Sequence, residues 1–361
     1  MGPRFHPLAV ADVRRETPYA VVLTFDVPAA LARDYRFTQG QFLTLRTRIG
    51  GEEVRRSYSI CSGVNETRLS VAVKRVDGGR FSNFANDELA PGAAVDVMTP
   101  EGRFFTALDP AQRRHYVAFA AGSGITPVLS LVKTALATEP GSRFTLVYGN
   151  RFVRSIMFCD ELEDLKDRYL GRFALYHVLS RDHQEVELFN GRIDEARCAV
   201  LLDTLIPVAG IDEAFVCGPA GMIDAVAASL ARHGLAPQRI HVERFASPSQ
   251  PAPPVARIGA PVAEAEGPAA SVTVIADGKQ RHVRVAYEGE SILDMALHAG
   301  ADLPFACKAG VCCTCRAKVV EGEVRMDKNF ALDEAEVERG FVLSCQSHPV
   351  TERVVISYDE R

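Results

Sequence analysis

The sequence predicts a multidomain chain: an antiparallel β-barrel, then an α/β domain built on a doubly wound parallel sheet, then a small cysteine-bearing domain. Three observations predict it. Short alternating segments separated by turn residues fill Pro7 to Met98, strand-like and helix-like stretches alternate from His115 onward, and six prolines interrupt all periodicity between Ala246 and Ala270. A chain of 361 residues has room for several buried cores. The expected division is therefore residues 1–108 for the barrel, 109–245 for the α/β domain, 246–270 for a Pro/Ala-rich linker and 271–361 for the C-terminal domain.

The barrel strands are read at Val21–Phe25, Phe42–Arg48, Val54–Ile60, Leu69–Val76 and Val95–Met98. Buried-strand runs follow at Tyr116–Ala120, Phe144–Tyr148, Leu175–Leu179 and Ala214–Cys217, with helices such as Val128–Leu136 and Ala220–Leu230 between them. That alternation calls for a parallel sheet with helices on both faces. The linker carries Pro248, Pro251, Pro253, Pro254, Pro261 and Pro268, and in polyproline form it could reach roughly 75 Å, so it is expected to tether mobile domains. Beyond it, Val272–Ala276, Asp277-Gly278 and His282–Ala286 read as a hairpin, followed by a helix with Ser291 as N-cap, Asp294 in the first turn and Gly300 at its end.

Composition excludes several classes. No apolar run approaches the ~20 residues of a membrane span, and Met1 to Val13 lacks a secretory layout, so a cytoplasmic protein without a membrane role is expected. A net charge of −5 argues against general nucleic-acid binding. In a cytosolic chain nine cysteines point to metal or redox chemistry rather than disulfides. Cys61, Cys159, Cys198 and Cys217 stand apart and read as small apolar side chains.

Cys307, Cys312 and Cys315 follow a C-x4-C-x2-C spacing, with Cys345 further on, and together they supply four thiolates for an iron-sulfur cluster. Structural zinc is the competing reading, although all-cysteine zinc sites come as two C-x2-C pairs and only Cys312 and Cys315 form one. Cys313 is a neighbouring thiol, since Cys312 alone satisfies both spacings. Gly310 is expected to take a positive φ where the loop wraps the sulfurs.

Upstream, Arg56, Ser57, Tyr58 and Ser59 end a strand with residue types that suit a flavin: a guanidinium for diphosphate, a ring for stacking and a hydroxyl for hydrogen bonding. The plain alternative is surface decoration of a strand. Gly78, Gly79, Arg80, Phe81 and Ser82 lead into a short helix whose N-H groups could receive a pyrophosphate, or form an ordinary turn. Gly122, Gly124, Thr126 and Pro127 join a buried strand to a helix, as a dinucleotide site requires, and Cys217, Gly218 and Pro219 repeat that junction. Arg151, Ser180 and Arg181 sit at the ends of two successive strands, where positive charge favours NADPH over NADH, with Asp182 adjacent as a counter-signal.

The segment from about Ser271 resembles plant-type ferredoxins, which implies a β-grasp fold and one-electron transfer at a [2Fe-2S] cluster. Taken in order, the upstream motifs resemble the ferredoxin-NADP reductase superfamily across residues ~5–245. That resemblance implies FAD held by Arg56, Tyr58 and Ser59, phosphates at Gly79 and Ser82, and nicotinamide at Gly124, Thr126 and Cys217–Pro219. Ser59 and Cys217 would lie nearest the reacting atoms, although Cys217 also reads as a packed strand thiol. A flavin adapts hydride chemistry to a one-electron carrier, so the modules form one circuit. The module order, with Val73, Lys74 and Arg75 through Ser82, Tyr148–Arg151 and Gly340–Gln346, is similar to the reductase subunits of phenylacetyl-CoA epoxidases. That similarity implies the oxygenase component of a multicomponent di-iron monooxygenase as acceptor. Another oxygenase or hydroxylase is the alternative partner, and a non-enzymatic redox sensor the alternative class.

Overall fold

A computed structural model of the chain describes residues 4–245 and 268–360. Two compact units emerge, one of His6–Leu45 with Tyr58–Phe245, the other of Arg46–Ser57 with the C-terminal residues. The expected linker lies outside the described residues as far as position 267, and its last residues, Ala269 and Ala270, already belong to a strand.

Six strands make the first sheet: β1 (Phe5–Thr17), β2 (Ala20–Asp26), β3 (Phe42–Ile49), β4 (Glu52–Ser59), β5 (Leu69–Lys74) and, after helix α1 (Arg80–Asp87), β6 (Ala94–Met98). Their order is β4-β3-β6-β1-β2-β5. The residue after β4 closes the ring, because Ile60 bridges antiparallel to Val71 of β5 and Cys61 N-H donates to Ser70 O at 2.9 Å. Closure removes the two open edges that a flat sheet would leave. The long strand β1 was missed by sequence reading, since Arg14, Arg15 and Glu16 interrupt its alternation near a bulge between Arg15 and Thr17.

The second sheet is wholly parallel, in the order β11-β10-β7-β8-β9. Its elements are β7 (His115–Ala121), α2 (Ile125–Thr138), β8 (Arg143–Asn150), α3 (Cys159–Arg168), β9 (Phe173–Leu179), α4 (Glu195–Thr204), β10 (Glu213–Cys217), α5 (Ala220–Arg232) and β11 (Ile240–Glu243). Period-two alternation sorts β7 between two cores: Tyr116, Ala118 and Ala120 pack with α2 and α3, while Val117 and Phe119 pack with α4 and α5. Both faces are covered, which is why the strands read as continuous apolar runs. Val117 and Phe119 have no exposed surface, and full burial of such side chains stabilises by about 1.5–3 kcal/mol each.

The C-terminal sheet has the order β13-β12-β18-β14-β16. It comprises β12 (Ala269–Ala276), β13 (Lys279–Ala286), α6 (Ile292–His298), β14 (Arg316–Glu321), β15 (Val324–Met326), α7 (Glu334–Glu338), β16 (Phe341–Leu343), β17 (Ser347–Pro349) and β18 (Arg353–Ser357), with β15 and β17 paired separately. The first strand pairs antiparallel with β13 and parallel with β18, the β-grasp arrangement expected from the resemblance. At the hairpin Asp277 and Gly278 both take positive φ, and the Asp359 carboxylate accepts from both of their N-H groups at 2.7 and 2.9 Å. Ser291 Oγ accepts from Asp294 N-H at 3.2 Å, as a helix N-cap should.

Candidate cofactor sites

In the cluster loop the four thiols fall into two neighbouring pairs, Cys307 with Cys312 and Cys315 with Cys345. Among the described residues no three or more His, Cys, Asp or Glu side chains gather about one point. Two pairs of soft donors are what two irons sharing one cluster require. The Cys307 thiol is pulled down, to about 6, by its bond to Cys312 and by the N-H groups of Ala309, Val311 and Cys312, against the opposing effect of burial. Such amides favour a sulfur carrying negative charge.

The backbone is bent to present those amides. Lys308, Gly310 and Cys313 have φ of 50°, 75° and 53°. At Gly310 a side chain is excluded twice, by the left-handed φ and because a Cβ would lie 2.9 Å from Lys328 O. Lys308 is fixed in its unusual conformation by an ion pair of 2.5 Å with Asp294 of α6. Cys313 Sγ turns to donate to Ala331 O at 3.1 Å. Behind the second pair, Ser344 Oγ donates to Cys315 O at 2.9 Å and lies 2.6 Å from the buried Tyr358 hydroxyl. The donor set therefore fits a two-iron cluster.

In the barrel, Tyr58 packs on Phe81 of α1 with ring centroids 5.4 Å apart, and Ser59 is buried. The Arg56 guanidinium donates to Arg55 O at 2.7 Å, and the neighbouring Ser57 is part of the same strand. Arg80 and Phe81 open α1 after Gly79. Ser82 Oγ donates to Gly79 O and accepts from Val76 N-H, each at 3.2 Å, so the hydroxyl shapes the turn that precedes the helix. Val73 is a fully buried residue of β5, whereas Lys74 at its end has its ammonium disfavoured by burial and by nearby Arg151. Two cations held close with one partly desolvated make a place that favours an anion.

Lys74 Nζ also lies 3.3 Å from where a Cβ on Gly122 would stand, which ties β5 to the strand-to-helix junction of the parallel sheet. Tyr148 OH donates to Gly122 O at 2.9 Å from beneath. At Gly124 a Cβ would fall 2.1 Å from Cys217 O, so the two small-residue junctions meet backbone to backbone. Thr126 Oγ1 donates to Ser123 O at 3.0 Å, and Pro127 occupies the first turn of α2, where its missing N-H is tolerated. Gly218 lies against Ala121, and Pro219 caps α5. The Cys217 thiol is fully buried and pushed well up by that burial, so it stays protonated.

Beyond β8 and β9 the ladder continues, with Ser180 N-H donating to Asn150 O and Arg181 N-H to Arg151 O, both at 2.9 Å. This sets Arg151 beside Arg181. Phe152 and Arg154, absent from the sequence reading, join them: the Arg154 guanidinium lies 5.0 Å and that of Arg181 5.8 Å from the Phe152 ring. Asp182, the counter-signal, accepts from Val153 N-H at 2.7 Å and thus serves the loop. The missed pair could have been found from the clustering of Arg151, Phe152 and Arg154 immediately after a buried strand.

Comparison with known proteins agrees with this geometry. Residues 8–106 match the oxidoreductase FAD-binding domain, 119–228 the oxidoreductase NAD-binding domain and 274–350 the 2Fe-2S iron-sulfur cluster binding domain. The fold is also similar to phthalate dioxygenase reductase, with a TM-score of 0.61 and 22% identity over 98% of both chains. Fold and family matches together define an electron-transfer oxidoreductase of the ferredoxin-NADP reductase type, with domains for FAD, a nicotinamide coenzyme and a C-terminal [2Fe-2S] cluster. The chain is 44% identical to a subunit of the 1,2-phenylacetyl-CoA epoxidase of Escherichia coli (strain K12), over 99% of this chain and 98% of that protein. It is 35% identical to the ferredoxin reductase component of 3-ketosteroid-9-alpha-monooxygenase of Mycobacterium tuberculosis (strain ATCC 25618 / H37Rv), over 100% and 98%. The chain belongs to this family of oxygenase reductase components. Among the described residues no helix is long and apolar enough to cross a membrane.

Proposed function

We propose that the chain draws electrons from NADPH and delivers them to the di-iron oxygenase component of a phenylacetyl-CoA epoxidase in the cytoplasm. The observation that carries the reading is the 44% identity to an epoxidase subunit over nearly the whole of both chains. When bound, FAD and the cluster supply the conversion of a two-electron donor into single electrons. The chain's own residues supply placement. Tyr58 offers a ring face to the flavin, Ser59 a hydroxyl, and the N-terminal amides of α1 a place for its phosphates. Gly124 and Gly218 let the two strand-to-helix junctions pack closely where the nicotinamide would approach, with Cys217 contributing backbone because its buried thiol is a poor proton donor or acceptor. Lys74, close to Gly122 and to Arg151, would supply positive charge for the coenzyme pyrophosphate.

NADPH over NADH is supported by Arg151, Arg154 and Arg181 around one loop, with Ser180 beside them and the Asp182 carboxylate engaged by Val153 N-H. Replacing Arg181 by Ala is expected to raise KM for NADPH about tenfold, the loss of one charge-assisted hydrogen bond, while KM for NADH moves little. Equal effects on the two coenzymes would remove Arg181 from 2'-phosphate recognition.

The acceptor is tested by reconstitution. Purified chain, NADPH and the epoxidase oxygenase component should consume NADPH and oxygenate phenylacetyl-CoA, and an oxygenase of the 3-ketosteroid type should not be served. Turnover with the steroid system and none with the epoxidase would move the chain to that branch.

A further inference from the structure

The fourth ligand, Cys345, lies far along the chain from the first, Cys307, yet one side chain joins their two segments. Gln346 extends its carboxamide from the residue after Cys345 back to the first loop. Its Nε2 donates to Lys308 O at 3.1 Å and to Cys345 O at 2.8 Å, and lies 3.6 Å from Cys345 Sγ within hydrogen-bonding geometry for sulfur. The contact is built from both sides. Gln346 Cγ would sit 3.3 Å from a Cβ at Gly310, and Gln346 O accepts from Asp327 N-H at 2.9 Å in the strap that follows β15.

We propose that Gln346 is a positioning residue for the cluster: its amide holds the Cys307 loop to the Cys345 segment and, by sharing an N-H between a backbone carbonyl and the Cys345 sulfur, raises the reduction potential. The physical reason is charge. One-electron reduction adds a negative charge shared with the ligand sulfurs, and a donor aimed at a sulfur stabilises the charged form. Removing that donor lowers the potential, and placing a carboxylate there lowers it further. The inference concerns the cluster alone and is independent of which coenzyme and acceptor the chain uses.

The test uses the full-length holoprotein. Gln346→Met keeps side-chain length without the donor, and Gln346→Glu keeps shape with reversed charge character. Redox titration followed by electron paramagnetic resonance should show the one-electron equilibrium shifted toward the oxidised cluster about fivefold in the Met variant, as one lost hydrogen bond implies. In the Glu variant the expected shift is more than about tenfold, or about 59 mV for a one-electron couple. Iron content should stay near that of the unsubstituted protein in at least one variant. Because a packing defect alone does not order the two shifts by charge, equal potentials in all three proteins, or a Glu variant with the higher potential, would overturn the proposal. If neither variant retains iron, the readout is pulsed electron paramagnetic resonance of the unsubstituted protein carrying 15N in its glutamine side chains. A weak nitrogen coupling to the reduced cluster supports the contact, and its absence overturns it.

Discussion

Replacing Cys345 by Ser is expected to cut electron delivery to cytochrome c at least about a hundredfold, more than loss of an outer partner of a metal ligand costs. Reduction of ferricyanide with NADPH should remain near the unsubstituted rate. The reasoning is structural. Cys345 pairs with Cys315 in the C-terminal unit, whereas Tyr58, Lys74, Ser82 and the Gly122–Pro127 junction all belong to the other unit. Serine leaves one iron with a harder, more basic oxygen ligand, and the cluster is lost or its potential displaced. Hydride delivery to the flavin uses neither Cys315 nor Cys345. Loss of both activities together would contradict the modular division, and so would unchanged cytochrome c reduction. Stopped-flow absorbance separates the two steps, and iron analysis shows whether the cluster is retained.

Replacing Gly124 by Ala should produce the complementary defect. The added Cβ would stand 2.1 Å from Cys217 O, 2.5 Å from Cys217 C and 3.0 Å from Gly218 N, all backbone atoms of the facing junction. No side chain can swing away to relieve the collision. Helix α2 or strand β10 must move instead, and overpacking of this kind costs about 1–3 kcal/mol. Because the two junctions meet where the coenzyme is expected, flavin reduction by NADPH should slow at least about tenfold. The cluster should stay spectroscopically intact. A variant with unchanged flavin reduction would show that the junction tolerates separation and does not frame the coenzyme.

Much of this was legible in residues whose local chemistry admits few alternatives. Ser291 and Gly300 bracket α6 because a capping hydroxyl and a left-handed exit are local needs, and both appear as read. The parallel strands were legible because burial on both faces leaves no polar alternation. Strand β1 was not, since its alternation is broken by two register shifts against β2 and its other partner, β6, lies far along the chain. The α7 capping box, in which Asp333 Oδ1 accepts from Glu336 N-H at 2.8 Å and Glu336 returns the bond to Asp333 N-H at 3.3 Å, was visible as D-x-x-E yet went unread.

The cluster thiols show the same division. Spacing named Cys307, Cys312, Cys315 and Cys345, but the pairing of Cys307 with Cys312 and of Cys315 with Cys345 needed the fold. Spacing also set Cys313 aside, and its hydrogen bond to Ala331 O supplies the physical counterpart. For the coenzyme, Arg151 and Arg181 stood out in sequence as strand-end cations. Their adjacency, and the engagement of Asp182 by Val153 N-H, follow from the continued ladder between β8 and β9. Gln346 entered the sequence reading only as the end of a resembling segment, because an amide beside a cysteine has no role of its own until Lys308 O is placed within its reach.

The circuit itself is tested most directly by anaerobic titration of the purified holoprotein with NADPH, followed at once by absorbance and electron paramagnetic resonance. Flavin absorbance should bleach, and the spectrum of a one-electron-reduced [2Fe-2S] cluster should grow toward about one spin per chain, the stoichiometry of a single four-cysteine site. Flavin bleaching with no cluster signal, or a chain purified without flavin and iron, would contradict it.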